Sequence, residues 1–207
     1  DNGPIFVKND NSEVAAIHYK FNGWGKKFLP YDKVINIPSL IAKKLNIKCF
    51  KSRLIVEGGG VSFDGEGTVI TTEQMLMNKN RNSSFTRKEI EKELDLTLGI
   101  KKVIWLKNGL VEDWGTDGHV DCIVEYISPG KIFVQIINNK SNPNYNLLKE
   151  NFEIIKKAKD AKGRSLEIIE MPYLPYFSQK YNGEYYVSPY INYYIINNAI
   201  LVPEVDP

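Results

Sequence analysis

The sequence predicts an α/β protein made of a repeated unit: two strands, a helix and a further strand. Three observations support this prediction. Strand signals come in pairs around short polar turns, helical patterns separate the pairs, and a carboxylate beside a strand signal recurs at Asp1, Glu57 and Asp121, at intervals of 56 and 64 residues. A radial arrangement of such units would bring the carboxylates to a shared axis. The simpler alternative is chance spacing in a chain with common βα order.

The first unit is indicated by strands at residues 4–7 and 14–19, around the polar turn 9–12. A helical run begins at Ser39 and continues through Leu45, with apolar residues at helical spacing.

The second unit begins with an apolar run at 54–57, followed by three glycines at 58–60. Glycines after a strand form either a flexible turn or a place where a ligand or side chain approaches the backbone closely. Strands are expected at 61–63, 67–72 and 102–106. The helix between them is marked by Thr86 and Glu89, which form a capping box, and by Gly99, which ends it.

The third unit is predicted from strands at 122–127 and 131–137, around the turn 128–130. A helix is expected to begin at Asn142-Pro143 and to end at Gly163, because proline favours the first helical position and glycine the position after the last. Further strands are expected at 166–170, 190–197 and 199–202.

The composition is that of an ordinary soluble globular protein. Of 207 residues, 43% are hydrophobic and 25% are charged, and the net charge of +2 argues against a nucleic-acid surface. No apolar run is long enough to span a membrane. Two cysteines make no disulfide framework, so we expect a cytoplasmic location. Neither of the two histidines has a metal-ligand spacing with a cysteine, so we expect no structural zinc and no other metal site.

The segment 114–122 contains the residues best suited to chemistry. His119 and Asp121 are two positions apart, so they would share a face if the segment is a strand, and Asp117 would join them if that strand began early. A carboxylate beside an imidazole can bind a cation and transfer a proton. The alternative is a set of solvated polar residues at a strand end.

Several segments resemble, in order and from end to end of the chain, the motifs of the agmatine deiminase family. They are Asp1-Asn2-Gly3-Pro4, Phe21-Asn22-Gly23-Trp24-Gly25, Glu57-Gly58-Gly59-Gly60, Asp64-Gly65-Glu66-Gly67-Thr68, Thr72-Glu73, Asn78-Lys79-Asn80-Arg81-Asn82, Lys102-Val103-Ile104-Trp105-Leu106, Gly109-Leu110, Thr116-Asp117-Gly118-His119-Val120-Asp121 and Asn197-Asn198-Ala199-Ile200-Leu201-Val202-Pro203.

The resemblance implies a pentein α/β-propeller, which has five ββαβ modules around a pseudo-fivefold axis. We therefore expect residues 1–207 to form a single incomplete pentein domain of about three modules, roughly 1–52, 53–117 and 118–207. The implied activity is that of a hydrolase acting on the C–N bond of a linear amidine. It converts agmatine and water to N-carbamoylputrescine and ammonia, a step in putrescine biosynthesis, without a metal or organic cofactor.

The resemblance also implies residue roles. Asp1 and Asp121 would grip the guanidinium, His119 would be the general acid and base, and Glu57 would orient His119 or contact the substrate. We add Asp117 as a substrate-binding candidate. Trp24 and Trp114 are candidates to line the pocket, although the usual burial of tryptophan favours plain core packing.

The family's nucleophile is a cysteine in a C-terminal segment of the form G-G-G-x-I-H-C, which forms a thiouronium intermediate. We expect that cysteine outside this chain, and we expect this portion alone to be inactive. Cys49 lies in an apolar stretch and should be buried, whereas Cys122 in a strand would face away from Asp121.

Two alternatives stay open at this stage. One is a deiminase for peptidyl-arginine or another guanidine, and the other is a non-catalytic pentein binding module. The retained His119, Asp121 and Glu57 favour an enzyme, since a binding module has no need of a guanidinium clamp. The expected partner is a small guanidine, with neither nucleic acid nor membrane, and the complete protein is expected to form a homo-oligomer.

Overall fold

A computed structural model of the chain describes residues 1–173, 190–196 and 198–203. Its first sheet has the order β1 (Ile5–Lys8), β2 (Val14–Lys20), β3 (Lys48–Ile55). β1 pairs with β2 antiparallel and β2 pairs with β3 parallel, so the connection between β2 and β3 must cross over. Within it lie the short helix α1 (Gly23–Lys26) and the helix α2 (Ile37–Lys44), which packs on β2 and β3.

The second sheet repeats this arrangement with β4 (Val61–Phe63), β5 (Thr68–Thr72) and β6 (Lys102–Leu106). A short helix, α3 (Glu73–Leu76), and the crossover helix α4 (Arg87–Leu98) connect β5 to β6.

The start and stop signals predicted for α4 are confirmed. Thr86 Oγ1 accepts a hydrogen bond from the Glu89 backbone N–H at 3.3 Å, and the Glu89 carboxylate accepts one from the Thr86 N–H at 2.7 Å. Gly99 follows the helix with a φ of 70°, the left-handed conformation that glycine adopts without strain.

The third sheet contains β7 (Val124–Ser128), β8 (Lys131–Ile136) and β9 (Glu167–Pro172), with α5 (Tyr145–Lys157) as its crossover helix.

Both predicted ends of α5 are wrong. The Asn142 side chain accepts the Asn144 N–H at 2.8 Å and forms a turn before the helix. At the other end Ala158 is extended, with a ψ of 153°, and Lys159 forms a bridge with Ser165.

The ends of the observed sheets lie close to the predicted module boundaries, which stay a prediction. β3 continues to Ile55, three residues past the approximate boundary at residue 52. The third sheet ends at Pro172, and a separate antiparallel pair follows, β10 (Tyr194–Ile196) and β11 (Ala199–Leu201). Residue 197, at the end of one predicted strand, lies outside the described residues.

Hydrophobic packing holds neighbouring sheets together. One buried cluster joins the first two sheets through residues such as Ile17, Leu54 and Val69. A second cluster joins the second and third sheets through residues such as Ile70 and Ile132. Within the described ranges, no helix combines the length and apolar character needed to cross a membrane.

Backbone hydrogen bonds join the beginnings of the three units in a row. The Gly58 N–H donates to the Asp1 carbonyl at 3.0 Å, and the Asp121 N–H donates to the Gly59 carbonyl at 3.1 Å. These two bonds bring Asp1, the glycine turn 58–60 and the segment around Asp121 side by side, and this is where the candidate site lies.

Candidate active site

The segment that contains His119 and Asp121 is a turn and not a strand. β7 begins only at Val124, and the preceding turn includes Asp117 and Gly118 with φ values of 64° and 83°. The His119 N–H donates to Asp113 Oδ2 at 2.8 Å and anchors the turn. The shared-face argument for His119 and Asp121 was therefore wrong, and their proximity has another cause.

That cause is the missing side chain of Gly59. A Cβ atom at this position would lie 2.2 Å from Asp121 Oδ2 and 2.7 Å from His119 Nδ1. Real Cβ atoms do not approach other atoms so closely, so the imidazole and the carboxylate both occupy space that only glycine leaves free. The close approach predicted for the three-glycine turn is confirmed here, at its middle residue.

Asp1 lies on the same side of the imidazole. Its Oδ1 accepts the Gly59 N–H and its Oδ2 accepts the Trp24 indole N–H, both at 2.8 Å. Oδ2 is also 4.0 Å from His119 Nδ1. Hydrogen bonds to neutral donors fix the carboxylate in place but leave its charge uncompensated.

Asp121 is held in a similar way. Its Oδ2 accepts the Asn192 side-chain N–H at 2.7 Å, and its Oδ1 accepts the thiol of Cys122 at 3.4 Å. Burial raises the pKa of Asp121, and the neighbouring His119 acts in the opposite direction. The sequence had placed Cys122 facing away from Asp121, which was wrong because turn geometry does not alternate side chains.

Glu57 lies on the far side of His119. Its side chain is 0% exposed, and its Oε2 is 3.3 Å from His119 Nε2. The guanidinium of Arg81 donates through Nε to both carboxylate oxygens, at 2.8 and 2.9 Å. Of the two roles predicted for Glu57, its burial allows the orientation of His119 and leaves no face for a substrate.

Asp117 has a different place from the one predicted. Its Oδ2 accepts hydrogen bonds from Arg81 at 2.6 Å and from Asn80 at 2.9 Å, and its Oδ1 accepts the Lys27 ammonium. Burial alone would raise the pKa of Asp117, but hydrogen bonds from Asn80, Lys27 and Arg81 lower it. Because two cations of the chain already neutralise this carboxylate, Asp117 is not suited to bind a substrate cation.

An aromatic cluster lies beside Asp1. Phe28 stacks on Trp114 with ring centroids 6.1 Å apart, and it meets the Trp24 ring edge-on at 5.4 Å. Trp114 is 50% exposed and Trp24 is partly buried. Trp114 is therefore not packed in the core, whereas Trp24 is half-buried, and the role of both rings in lining a pocket stays a prediction.

Neither cysteine has the surroundings of a nucleophile. Cys49 is only partly buried, less than predicted, with its sulfur 3.8 Å from Ser39 Oγ. Cys122 is buried, and burial together with the charge of Asp121 raises the pKa of its thiol well above the ordinary value. A thiol needs a lowered pKa to react at neutral pH, so Cys122 remains protonated.

Comparison with known proteins decides the family. The model of the Porphyromonas-type peptidyl-arginine deiminase family matches residues 1–207. The chain belongs to this family. The residues described above are therefore those of a member of the Porphyromonas-type peptidyl-arginine deiminase family.

Solved structures of similar proteins have the same fold. An agmatine deiminase of Enterococcus faecalis, caught catalysing its reaction, superposes with a TM-score of 0.91 at 28% identity, covering 99% of this chain and 61% of that one. A cysteine-to-serine agmatine deiminase of C. jejuni with substrate bound superposes with a TM-score of 0.86 at 30% identity, covering 99% of this chain and 59% of that one. The pentein fold expected from the sequence motifs is confirmed.

Curated relatives found by sequence similarity support the same assignment. A relative from Legionella pneumophila strain Paris, named as a candidate agmatine deiminase, is 40% identical over 98% of this chain and 58% of its own. The agmatine deiminase of Medicago truncatula is 35% identical over 99% of this chain and 62% of its own. The chain thus spans about three fifths of the length of the relatives that it matches.

Sequence reasoning missed three residues of the site. Arg81 lies inside the 78–82 motif, but nothing in that motif indicates a fully buried guanidinium. Lys27 and Asn192 are separated from their partners by 90 and 71 residues. Only the folded arrangement of the units brings these side chains to the site.

Proposed function

We propose that the full-length protein is an agmatine deiminase, which hydrolyses agmatine to N-carbamoylputrescine and ammonia. The observation that supports this most is the pair Asp1 and Asp121, two carboxylates held by neutral donors beside His119. Among the described residues, no lysine or arginine forms an ion pair with either carboxylate. Their charges are therefore free to bind a cation from outside.

A guanidinium fits such a pair. It is planar, and its edges present paired N–H donors that match carboxylates in bidentate fashion. Each charge-assisted hydrogen bond is worth roughly 1.5–3 kcal/mol. Binding at two edges fixes the plane of the guanidinium next to the imidazole and presents its central carbon to a nucleophile.

The resemblance implies that this nucleophile is a cysteine thiolate outside the 207 residues. In the proposed reaction its sulfur attacks the guanidinium carbon and forms a tetrahedral adduct. His119, as imidazolium, donates a proton to the departing nitrogen, which leaves as ammonia and gives a thiouronium. The neutral imidazole then takes a proton from water as the oxygen attacks the same carbon. The C–S bond breaks, the thiolate departs, and the remaining hydroxyl proton passes to solvent to leave the urea product.

The test is ammonia release by the full-length protein with agmatine as substrate. Asp121→Asn should lower kcat/KM roughly 100-fold or more, because about two charge-assisted hydrogen bonds are weakened. Asp95→Asn is the matched control, since Asp95 is an exposed aspartate paired with Lys101 on the protein surface. Unchanged turnover in Asp121→Asn would end the assignment of that residue.

The same assay separates agmatine from peptidyl-arginine, the substrate in the name of the matching family. A peptide that contains arginine has the same guanidinium but no free amine at the far end. A kcat/KM for such a peptide equal to or above that for agmatine would reassign the substrate, and ammonia release from neither would favour a binding module.

We also propose the partners and the cellular location of the full-length protein. The substrate is a small guanidine, and the net charge of +2 gives no general attraction to nucleic acid or to an anionic membrane. We propose a homo-oligomer for the complete protein. Both cysteines of the described chain are free, which suits the reducing cytoplasm.

A further inference from the structure

Arg81 is a fully enclosed charged side chain next to the candidate site. Its side chain is 0% exposed. Besides the two bonds from Nε to Glu57, Nη1 donates to Asp117 Oδ2 at 2.6 Å and to Asn80 Oδ1 at 2.9 Å, and Nη2 donates to the Thr116 carbonyl at 2.8 Å. A buried guanidinium is tolerated only when its donors are paired in this way.

The charges around Arg81 balance. Glu57 and Asp117 are the two carboxylates, and Arg81 and Lys27 are the two cations that bond to them. A buried carboxylate without such a cation would take up a proton and lose its charge. Arg81 is therefore the cation that compensates the charge of the buried Glu57 carboxylate.

Arg81 also fixes the direction of Glu57. Both carboxylate oxygens accept from the same Nε, so the carboxylate is held facing Arg81, and its Oε2 lies 3.3 Å from Nε2 of His119. The other ring nitrogen, Nδ1, faces Asp1 and the space left by Gly59. The contact between Glu57 and Nε2 thus leaves Nδ1 on the side of Asp1.

We infer that Arg81 is a positioning residue of the proposed deimination: by holding the carboxylate of Glu57 against Nε2 of His119, it sets the proton-transfer role of His119. This inference rests on the proposed function for its consequence in catalysis. Arg81 does not touch the substrate. It lies behind Glu57, on the side of the imidazole away from Asp1 and Asp121.

The contacts of Asp117 extend this assembly to the surface. Asp117 holds the outer end of Arg81, and Lys27 bonds to both Asp117 and the Trp114 carbonyl. Lys27 and Asp117 therefore connect the aromatic cluster of Trp24, Phe28 and Trp114 to Arg81. Asp117 was predicted as a substrate ligand, but in the structure its carboxylate holds the guanidinium of Arg81 in place.

The experiment uses four variants of the full-length protein: Arg81→Met, Arg81→Lys, Glu57→Gln and the double variant Arg81→Met/Glu57→Gln. Arg81→Met leaves the buried carboxylate of Glu57 without its cation. The double variant replaces the pair by neutral groups, so it removes the cost of an isolated buried charge. Circular dichroism and thermal melting establish which variants fold.

Three kinetic results are expected. In Arg81→Met, kcat falls roughly 10–100-fold, the loss typical of removing a partner that orients a reactive histidine. KM changes less than about threefold, because Asp1 and Asp121 are untouched. The pH profile of kcat also changes, because the carboxylate that faces Nε2 of His119 is no longer held by Arg81.

The double variant separates positioning from a merely structural role. If Arg81 acts through Glu57, the double variant has a kcat no lower than Glu57→Gln alone, since the second change removes what the first already lost. Multiplying losses in the double variant, or a wild-type pH profile in a folded Arg81→Met, would overturn the inference. Arg81→Lys keeps the charge without the paired geometry, and it should recover the pH profile more than the rate.

A measurement without turnover keeps this result distinct from failure of the proposed function. The ring nitrogens of His119, labelled with ¹⁵N and assigned with His119→Asn, report the hydrogen bond between Nε2 and Glu57. That signature should be lost in Arg81→Met and should persist in the control Arg87→Met, whose guanidinium pairs with Glu73 on the surface. If the wild-type protein hydrolyses no guanidine but the signature still depends on Arg81, the function fails and the positioning role stands. If the signature is unchanged, the role fails.

Discussion

The two sides of His119 contain the same functional group in opposite circumstances. On the buried side, Glu57 and Asp117 are bonded to Arg81 and Lys27, cations of the chain itself. On the open side, Asp1 and its neighbour Asp121 are bonded to an indole N–H, a backbone N–H, an amide and a thiol. The partner decides the role, since a neutralised carboxylate orients its neighbour and an uncompensated one attracts a ligand.

The largest expected difference between the two sides is in stability. Glu57→Gln should lower the free energy of unfolding by about 3–5 kcal/mol, because it leaves the buried Arg81 without its main partner. Asp121→Asn should not lower it at pH 7, since burial raises the pKa of Asp121 and its charge opposes folding above the ordinary aspartate range. Urea unfolding of both variants makes the measurement, and equal losses would remove the distinction between the sides.

The second test concerns Gly59, whose missing side chain leaves space for both His119 and Asp121. Gly59→Ala should lower kcat/KM roughly 100-fold, because its Cβ would displace both Asp121 and His119 by an ångström or so. Gly58→Ala is the matched control, because its Cβ would come no nearer than 3.7 Å to Asp1. Steady-state kinetics on the two variants should differ greatly, and similar losses would mean that the whole turn, not this one approach, is the constraint.

A smaller effect is expected at the edge of the open side. Trp24→Phe keeps an aromatic ring but removes the N–H bond to Asp1, and KM should rise about tenfold as one charge-assisted bond is lost. Trp105→Phe removes the same kind of bond, to Glu91 on α4, and should leave KM unchanged. A KM in Trp24→Phe equal to that of the wild type would show that Asp1 is fixed by Gly59 alone.

A pH-dependent effect concerns Glu125, on β7 close to Asp121. Burial raises its pKa to about 8, and the charge of Asp121 contributes. The folded protein therefore binds a proton there that the unfolded chain releases above its ordinary value near 4.5, and stability falls as pH rises from about 4.5 to 8.

Glu125→Gln should remove this decline. Its Tm should exceed that of the wild type by roughly 10 °C at pH 9 and match it at pH 4, below both pKa values. Glu153→Gln, on the exposed face of α5, should show no such pH dependence. A constant Tm difference at both values would mean that Glu125 acts through packing and not through its charge.

How much the sequence predicted depends on whether the signal was local. The capping box of Thr86 and Glu89 and the paired strands follow from neighbours in the chain, and they are confirmed. The His119–Asp121 pair was predicted to meet through strand alternation, yet the glycine turn of a different unit brings the two together. Arg81 was not found, because burial and ion pairing between distant segments leave no pattern in neighbouring residues.

The two main-chain bonds that link Asp1 to Gly58 and Gly59 to Asp121 have a consequence for the life of the protein. Asp1, the glycine turn 58–60 and Asp121 each come from a different ββαβ unit, and these two bonds hold the three segments side by side. The active site that we propose would therefore take shape only when all three units have docked on one another.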